Sequence, residues 1–330
     1  MSDDASVDVK QTKITHTWEY SAPLTACRFA PDGQFLVSAA LDGKLQRWHL
    51  ESGNVTPLEG HTSWIRGIGF SADSQQLITA GYDGRLLFWP LQDKTPRPSR
   101  DIKAHDGWIR ALAVSPNLAV LATCGNDQVV KLWSLDDGHL LHTFNGHQSH
   151  VYSVAFHPTE AALVSGDLLG QVLQWDLQTA KPSRTIDVAD LHTYHAGQGA
   201  HYGGVRSMAF CPDHRSLACS GLHKATNPYA GVQQPLVIIV DWQTGKAIRS
   251  HVTQGIERGI AWRVVFHSRD LLLAASGGGS GGYLLFWQGD GEQTMHQVKL
   301  PNTTFDLDVH PDQRQLATVH HDQRVRISTL

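Results

Sequence analysis

Two sets of side chains in the first half of the chain combine the groups that a hydrolase would need. Each set has an imidazole, a hydroxyl, a carboxylate and an indole: His61, Thr79, Asp83 and Trp89, then His105, Thr123, Asp127 and Trp133. A serine-type triad uses the first three groups as base, nucleophile and orienting acid. A catalytic set is expected once in a chain, so its recurrence favours a structural hydrogen-bond chain instead.

Partial copies of this tetrad occur elsewhere in the sequence. Ser38, Asp42 and Trp48 lack the imidazole; His147, Ser165 and Trp175 have Leu169 at the carboxylate position; Thr318 and Asp322 have Ile327 at the indole position. We therefore expect several repeats with a weaker version of the same internal network.

A glycine motif and a histidine cluster raise two further possibilities. Gly277, Gly279 and Gly282 match the dinucleotide pattern G-x-G-x-x-G, but the following run predicts a strand rather than the required helix. We interpret Ser276 to Gly282 as a long hairpin loop.

His192, His195 and His201 could ligate a metal only if their loop folded back on itself. His201 aligns with His61, and neither a cysteine nor a carboxylate completes a ligand set. The sequence therefore predicts neither a metal nor a cofactor.

Composition excludes several classes of protein. The 330 residues carry 27 basic and 31 acidic side chains, so any nucleic-acid footprint would be local. Four dispersed cysteines fit a reducing compartment. The start of the chain lacks a signal-peptide pattern, and the longest apolar runs are too short to cross a bilayer. We expect a cytoplasmic protein without a membrane partner.

Strand-like runs recur at a nearly constant interval. Five of them end in tryptophan, and two end in Val240 and Ile327 at the equivalent position. The intervals between these seven positions are 41, 44, 42, 65, 47 and 40 residues, which indicates seven repeats with one of them stretched. Turn residues bound the runs, and no amphipathic helix intervenes, so each repeat predicts a small antiparallel sheet.

Short sequence motifs also recur in a fixed order within the repeats. The second repeat reads Gly60-His61, Trp64-Ile65-Arg66, Tyr82-Asp83-Gly84 and Leu86-Leu87-Phe88-Trp89, and the third and fourth repeats have the same order. In these motifs the chain resembles the WD40 repeat family from about residue 11 to Leu330. The resemblance implies an all-β, seven-bladed propeller with four antiparallel strands in each blade, and tetrads that stabilise the blades.

The ring must also close. The seventh repeat stops at its third strand, so we expect the N-terminal run to add the fourth and remove an open sheet edge. We predict a flexible acidic N-terminus at 1–10 and one propeller over 11–330. Its blades are expected at 19–58, 59–102, 103–145, 146–188, 200–252, 253–298 and 299–330 plus 11–18, with insertions at 189–203 and 222–235.

The first strand of each repeat predicts where a partner binds. Its apolar positions step by three and then by two residues, as in Ile65, Ile68 and Phe70, which predicts a bulge in every blade. The two residues flanking the first apolar position share a face. The resemblance places them around the mouth of the central channel, on the top face. The candidate partner-binding residues are Trp64, Arg66, Trp108, Arg110, His150, Tyr152, Arg206, Trp262 and Phe305.

The leading hypothesis is a non-enzymatic scaffold. The fourteen flanking positions of the seven repeats include five aromatic residues, three arginines and no Asp or Glu, which favours a protein or peptide partner that is acidic or phosphorylated. We expect a monomeric propeller that acts within a larger complex.

Two alternatives remain open. A lactonase-like hydrolase would need several Asp, Glu or Asn ligands around the channel mouth. Binding of nucleic acid or phosphoinositide would use Arg66, Arg110, Arg206, Arg258 and Arg263, and it predicts a steep salt dependence.

Overall fold

Antiparallel sheets account for nearly all of the chain. The computed structural model describes residues 7–116, 119–226, 232–268, 270–288 and 291–330. Within these ranges thirty β-strands and three short 3-10 turns are found, the turns at Val9–Gln11, Ala189–Leu191 and Ala196–Gln198. No helix in the described ranges has the length and apolar character needed to span a bilayer.

Seven four-stranded sheets follow one another as blades. The strands of blades one to four are β2 Leu24–Phe29, β3 Phe35–Ala40, β4 Leu45–His49, β5 Val55–Leu58, β6 Ile65–Phe70, β7 Gln76–Gly81, β8 Arg85–Pro90, β9 Arg100–Lys103, β10 Ile109–Val114, β11 Val120–Gly125, β12 Val129–Ser134, β13 Leu140–Asn145, β14 Val151–Phe156, β15 Ala162–Asp167, β16 Gln171–Asp176 and β17 Pro182–Asp187. The remaining strands are the hairpin β18 His192–His195 and β19 Ala200–Gly203, then β20 Ser207–Phe210, β21 Ser216–His223, β22 Gln234–Asp241, β23 Ala247–Val252, β24 Ile260–Ser268, β25 Leu271–Gly278, β26 Gly281–Gln288, β27 His296–Leu300, β28 Thr304–Val309, β29 Gln315–His320, β30 Arg324–Thr329 and the N-terminal β1 Lys13–Glu19.

The blades form a closed ring. The innermost strands β2, β6, β10, β14, β20, β24 and β28 contact one another in this order, and β28 contacts β2. β1 pairs antiparallel with β30, so the two termini share the seventh blade. Trp18 of β1 stacks on Trp48 of blade one at 5.2 Å between ring centroids. The predicted propeller and its closure by the N-terminal strand are confirmed.

Apolar cores lie between neighbouring blades. One cluster joins Val37 and Leu45 of blade one to Ile65, Leu77 and Trp89 of blade two. Each blade thus buries its faces only against its neighbours, which stabilises the ring as a unit and makes a single blade unstable alone.

Blade six corrects the interpretation of the glycine motif. β25 runs to Gly278 and β26 begins at Gly281, so only two residues form the turn and the predicted long loop is wrong. A Cβ at Gly277 would lie 2.1 Å from the Thr304 carbonyl oxygen, and one at Gly282 would lie 2.1 Å from that of Asn302. These glycines allow the backbone of blade seven to approach closely.

The stretch before β20 folds as a separate hairpin. β18 and β19 pair antiparallel, and the His192 and His201 imidazoles lie 2.8 Å apart, Nε2 to Nδ1. His201 is exposed and contacts His192 instead of a hydroxyl inside the blade, so it does not take the structural role of His61. Of the second expected insertion, residues 227–231 lie outside the described residues, as do residues 1–6 of the expected N-terminal segment. Val9, within that segment, is buried.

Candidate interaction site at the channel mouth

The tetrads are buried hydrogen-bond chains. In blade two the Trp89 indole donates to the Thr79 hydroxyl at 2.9 Å, this hydroxyl donates to His61 Nε2 at 2.9 Å, and His61 Nδ1 donates to Asp83 at 2.9 Å. Burial acts to raise the pKa of Asp83, but His61 and the backbone amides of Thr62 and Arg85 outweigh it and hold this pKa below its usual value.

The same chain occurs in blade three. Trp133 donates to Thr123 at 2.8 Å, and His105 lies 2.7 Å from Thr123 and 2.9 Å from Asp127. The imidazole and the hydroxyl are buried in both blades. A nucleophile must meet substrate, and these hydroxyls instead contact an indole and an imidazole, so the geometry fits structural support.

Blade four contains a third complete tetrad, which corrects the sequence assignment. His147 Nδ1 donates to Asp167 at 3.0 Å, and Ser165 lies 2.7 Å from His147 Nε2 and 2.7 Å from the Trp175 indole nitrogen. The carboxylate thus comes from Asp167 at the end of β15, two residues before Leu169, which does occupy the turn position equivalent to that of Asp83. The sequence pattern did not indicate this carboxylate, because Asp167 lies on the strand end and not at the turn position that Asp83 and Asp127 occupy.

Blades one and seven use different partners. Trp48 donates to Ser38 at 2.9 Å, and Ser38 donates to Gln46 at 2.9 Å. In blade seven, Thr318 contacts His320 Nε2 at 2.8 Å, while Asp322 forms an ion pair with Arg326. In both blades a different side chain gives the buried hydroxyl of Ser38 or Thr318 its hydrogen bond, which is the physical requirement at this position.

Trp242 of blade five, two residues after Val240, has a packing role. Its ring stacks on His157 at 5.1 Å and its indole nitrogen donates to Glu160 at 3.1 Å, which links blades four and five. Val240 takes the equivalent strand position in the core.

A bulge in the innermost strand aims one residue per blade at the channel. In blade two the pairing shifts between Ile65 and Gly67, which leaves Arg66 as the extra residue. Five more blades have the same shift; in blade five β20 begins at Ser207, and the Arg206 amide donates to the carbonyl oxygen of Ser220, the residue that pairs with Ser207. We call the residues at this position the inner ring: Thr25, Arg66, Arg110, Tyr152, Arg206, Trp262 and Phe305.

All seven inner-ring residues line one cavity of about 440 Å³ at the channel mouth. Trp64 also lines it. Trp108 and His150, the other two candidate residues, lie beside the cavity: Trp108 is 46 % exposed, as is Trp64, and His150 is half-buried. The sequence-derived positions thus meet at a single concave surface.

An aromatic stack forms one side of the mouth. The Tyr82 ring stacks on Trp108 at 4.6 Å and lies 5.7 Å from Trp64, ring centroid to ring centroid. Sequence reasoning missed Tyr82 because it is in the β7–β8 turn, beside the tetrad Asp83. Its aromatic character in a turn was the available signal. The stack holds two half-exposed indoles in fixed positions.

Three arginines lie against aromatic rings that line or border the cavity. The guanidinium carbon of Arg110 is 4.8 Å from the centroid of Trp108 and 5.1 Å from that of Tyr152, and the guanidinium carbon of Arg206 is 4.2 Å from the Tyr152 centroid. The guanidinium carbon of Arg66 is 5.9 Å from the Trp262 ring centroid. Cation–π contacts therefore orient the guanidinium groups while leaving N–H edges for a ligand.

Deeper in the channel the charges are paired. Asp306 accepts from Arg28 at 2.7 Å and from the Cys27 amide at 3.1 Å, and Arg263 Nε is 3.9 Å from its other oxygen. Among the described residues that line the cavity, Asp306 is the one carboxylate. A calcium-dependent hydrolase needs several oxygen ligands, and this lining does not supply them.

The ring of seven blades with internal His–hydroxyl–Asp–Trp networks defines a WD-repeat propeller. The family described as WD domain, G-beta repeat matches residues 11–49, 53–90, 96–134, 138–176 and 191–224, which is more than half of the chain. The chain belongs to this WD40 repeat family. No curated protein matches it.

The matched segments begin one strand ahead of the blades. The first match, 11–49, spans β1 to β4, and the last match ends at Lys224. Propellers of this family generally act as scaffolds for protein interaction rather than as enzymes.

Proposed function

We propose that this propeller binds a protein or peptide partner of acidic character at the channel mouth. The observation that supports this most strongly is the inner ring, which gathers three arginines and three aromatic residues around one cavity. Tryptophan, tyrosine and arginine dominate the energetics of protein interfaces because each joins a large buried area to a polar group.

Rigidity supports the same proposal. Arg66 donates to the Thr25 carbonyl oxygen at 2.7 Å, and Arg110 donates to Asn126 at 2.8 Å and to the Tyr82 hydroxyl at 2.6 Å. Side chains fixed before binding lose less entropy when a partner arrives. The exposed edges of Trp64 and Trp108 extend this surface beyond the cavity.

The remaining features of the proposed role follow from the rest of the chain. The cysteines Cys27, Cys124, Cys211 and Cys219 are all buried and form no disulfide with one another, which fits a reducing compartment such as the cytoplasm. We propose that the propeller acts as a monomer within a larger complex.

The test compares two quadruple variants as bait in a lysate of the source cells. W64A/R66A/W108A/R110A removes the mouth contacts, and we expect captured partner to fall at least tenfold because hot-spot residues each contribute about 1–2 kcal/mol. V55A/L140A/L141A/I248A removes exposed apolar groups from outer strands and should capture as the wild type does. Far-UV circular dichroism checks that both variants fold. Undiminished capture by a folded mouth variant contradicts the proposal.

A further inference from the structure

Arg206 is a half-buried cation without a counter-charge among the described residues. Its Nε is buried and has no hydrogen-bond partner among the described residues. Burial lowers the pKa of Arg206, and the neighbouring guanidinium groups of Arg110 and Arg66 act in the same direction. A charge removed from water is costly unless it is paired. The described residues supply no counter-charge to Arg206, so an external ligand could supply it.

Arg66 and Arg110 add two more positive charges that have no neighbouring carboxylate among the described residues. Arg110 and Arg206 share the Tyr152 ring, and Arg66 and Arg206 share the Trp262 ring. The hydrogen bonds of Arg66 and Arg110 described above end on neutral oxygens. No ion pair links these three arginines to a carboxylate among the described residues. Three positive charges therefore line one cavity uncompensated.

The deeper arginines of the channel provide an internal comparison. Arg28 and Arg263 are half-buried and face Asp306, so these two cations have a carboxylate beside them. Arg258 is exposed and outside the cavity lining. Of the arginines in the described ranges, only Arg66, Arg110 and Arg206 combine a place in the cavity lining with the lack of a neighbouring carboxylate.

The presence of three positive charges in one cavity indicates which kind of anionic ligand fits it. A carboxylate has one charge and two oxygens, and one guanidinium fork satisfies it. A phosphate monoester has a charge of about −2 and three terminal oxygens, enough to accept from three guanidinium groups. We propose that Arg66, Arg110 and Arg206 together bind one phosphorylated serine or threonine side chain of the partner; this rests on the proposed function.

The surroundings favour a single phosphate on a peptide over a nucleic-acid backbone. A backbone needs a track of cations, whereas the other four inner-ring positions are Thr25, Tyr152, Trp262 and Phe305. The exposed indoles of Trp64 and Trp108 at the rim can contact residues that flank the phosphorylated one.

The test uses immobilised degenerate peptide libraries with phosphoserine or phosphothreonine at the centre. Matched libraries carry serine, threonine or glutamate there. We expect the phosphorylated libraries to bind at least tenfold more tightly than the glutamate library. R206Q and R66Q should each lose at least tenfold of this binding, while R258Q, which removes the same charge outside the cavity, should keep it. If R206Q does not fold, R66Q carries the test.

Several outcomes would overturn the inference. Equal binding of glutamate and phosphorylated libraries refutes phosphate recognition but leaves the acidic-peptide function. Inorganic phosphate, or vesicles containing a phosphoinositide, binding as tightly as the phosphopeptides refutes a peptide source. If no library binds while lysate capture still depends on the mouth, the inference alone fails. If capture is independent of the mouth, the proposed function fails too.

Discussion

The buried imidazole of His320 is held in one neutral form by its hydrogen bonds. In blade seven, His320 Nδ1 donates to the Asn302 carbonyl oxygen at 3.0 Å, and Nε2 accepts from the Thr318 hydroxyl at 2.8 Å. Burial lowers the pKa of His320 to about 4, and the Arg326 guanidinium acts in the same direction. Protonation would therefore cost the folded state free energy.

This pKa predicts how stability depends on pH. The unfolded chain takes up the His320 proton near pH 6.5, whereas the folded protein resists it down to about pH 4. The unfolded state thus binds more protons below pH 6.5, and the free energy of unfolding falls as pH falls through this window. From pH 7 to pH 5, His320 should account for about 2 kcal/mol of that loss.

Urea unfolding of the wild type and H320Q at pH 7 and pH 5 checks this prediction. H320Q cannot titrate, so its loss of stability should be about 2 kcal/mol smaller than that of the wild type. His251, whose pKa burial also lowers to about 4, is present in both proteins and serves as the common background. Equal pH dependence in the two proteins would show that His320 is not held neutral.

Single positions also show where sequence reasoning reaches its limit. The tetrads of His61 and His105 were predictable because spacing and residue type recur together. Asp167 was not, because a carboxylate two residues earlier reaches the same imidazole by a different backbone path. Tyr82 was not, because its contacts with Trp64 and Trp108 join two blades and no local pattern encodes them.

At the scale of elements, backbone approach between blades explains the glycines of blade six. The carbonyl oxygens of Asn302 and Thr304 occupy the space that Cβ atoms of Gly282 and Gly277 would take. The sequence excluded a dinucleotide-binding loop but could not distinguish this close approach from a long hairpin loop, because the contact is made with another blade.

A pair of alanine substitutions tests this explanation. G282A places a Cβ against the backbone, and we expect it to lower the free energy of unfolding by about 1–3 kcal/mol. G279A is the matched control, because its Cβ would meet only the Arg258 side chain, no closer than 3.1 Å. Urea unfolding of both variants is the measurement, and a G282A protein as stable as G279A would refute the close-approach explanation.

The bulge is the element that links sequence pattern to site. Because the step from three to two residues was visible in the sequence, the inner-ring positions could be derived before their contacts were known. The pairing shift leaves one extra residue, such as Arg66 or Arg110, aimed into the channel. The sequence pattern could not predict which charges pair, because Asp306, which pairs with Arg28, lies near the other end of the chain.

At the scale of the whole molecule, closure of the ring determines the geometry of the mouth. The contact of β28 with β2 and the pairing of β1 with β30 join the two ends of the chain. Each blade then contributes one inner-ring residue to a single cavity. The seven-fold repetition is structural, whereas the differences among these seven residues define the proposed specificity.

Site-specific photo-cross-linking tests the central claim, that the partner docks at the mouth, most directly. Benzoylphenylalanine replaces Trp108 at the rim in one protein and Leu141 on outer strand β13 in another; both native side chains are exposed. On irradiation in the source cells, we predict a covalent adduct with the partner at position 108 and none at position 141. An adduct at position 141 with none at position 108 would place the partner on the outer strands and contradict the account.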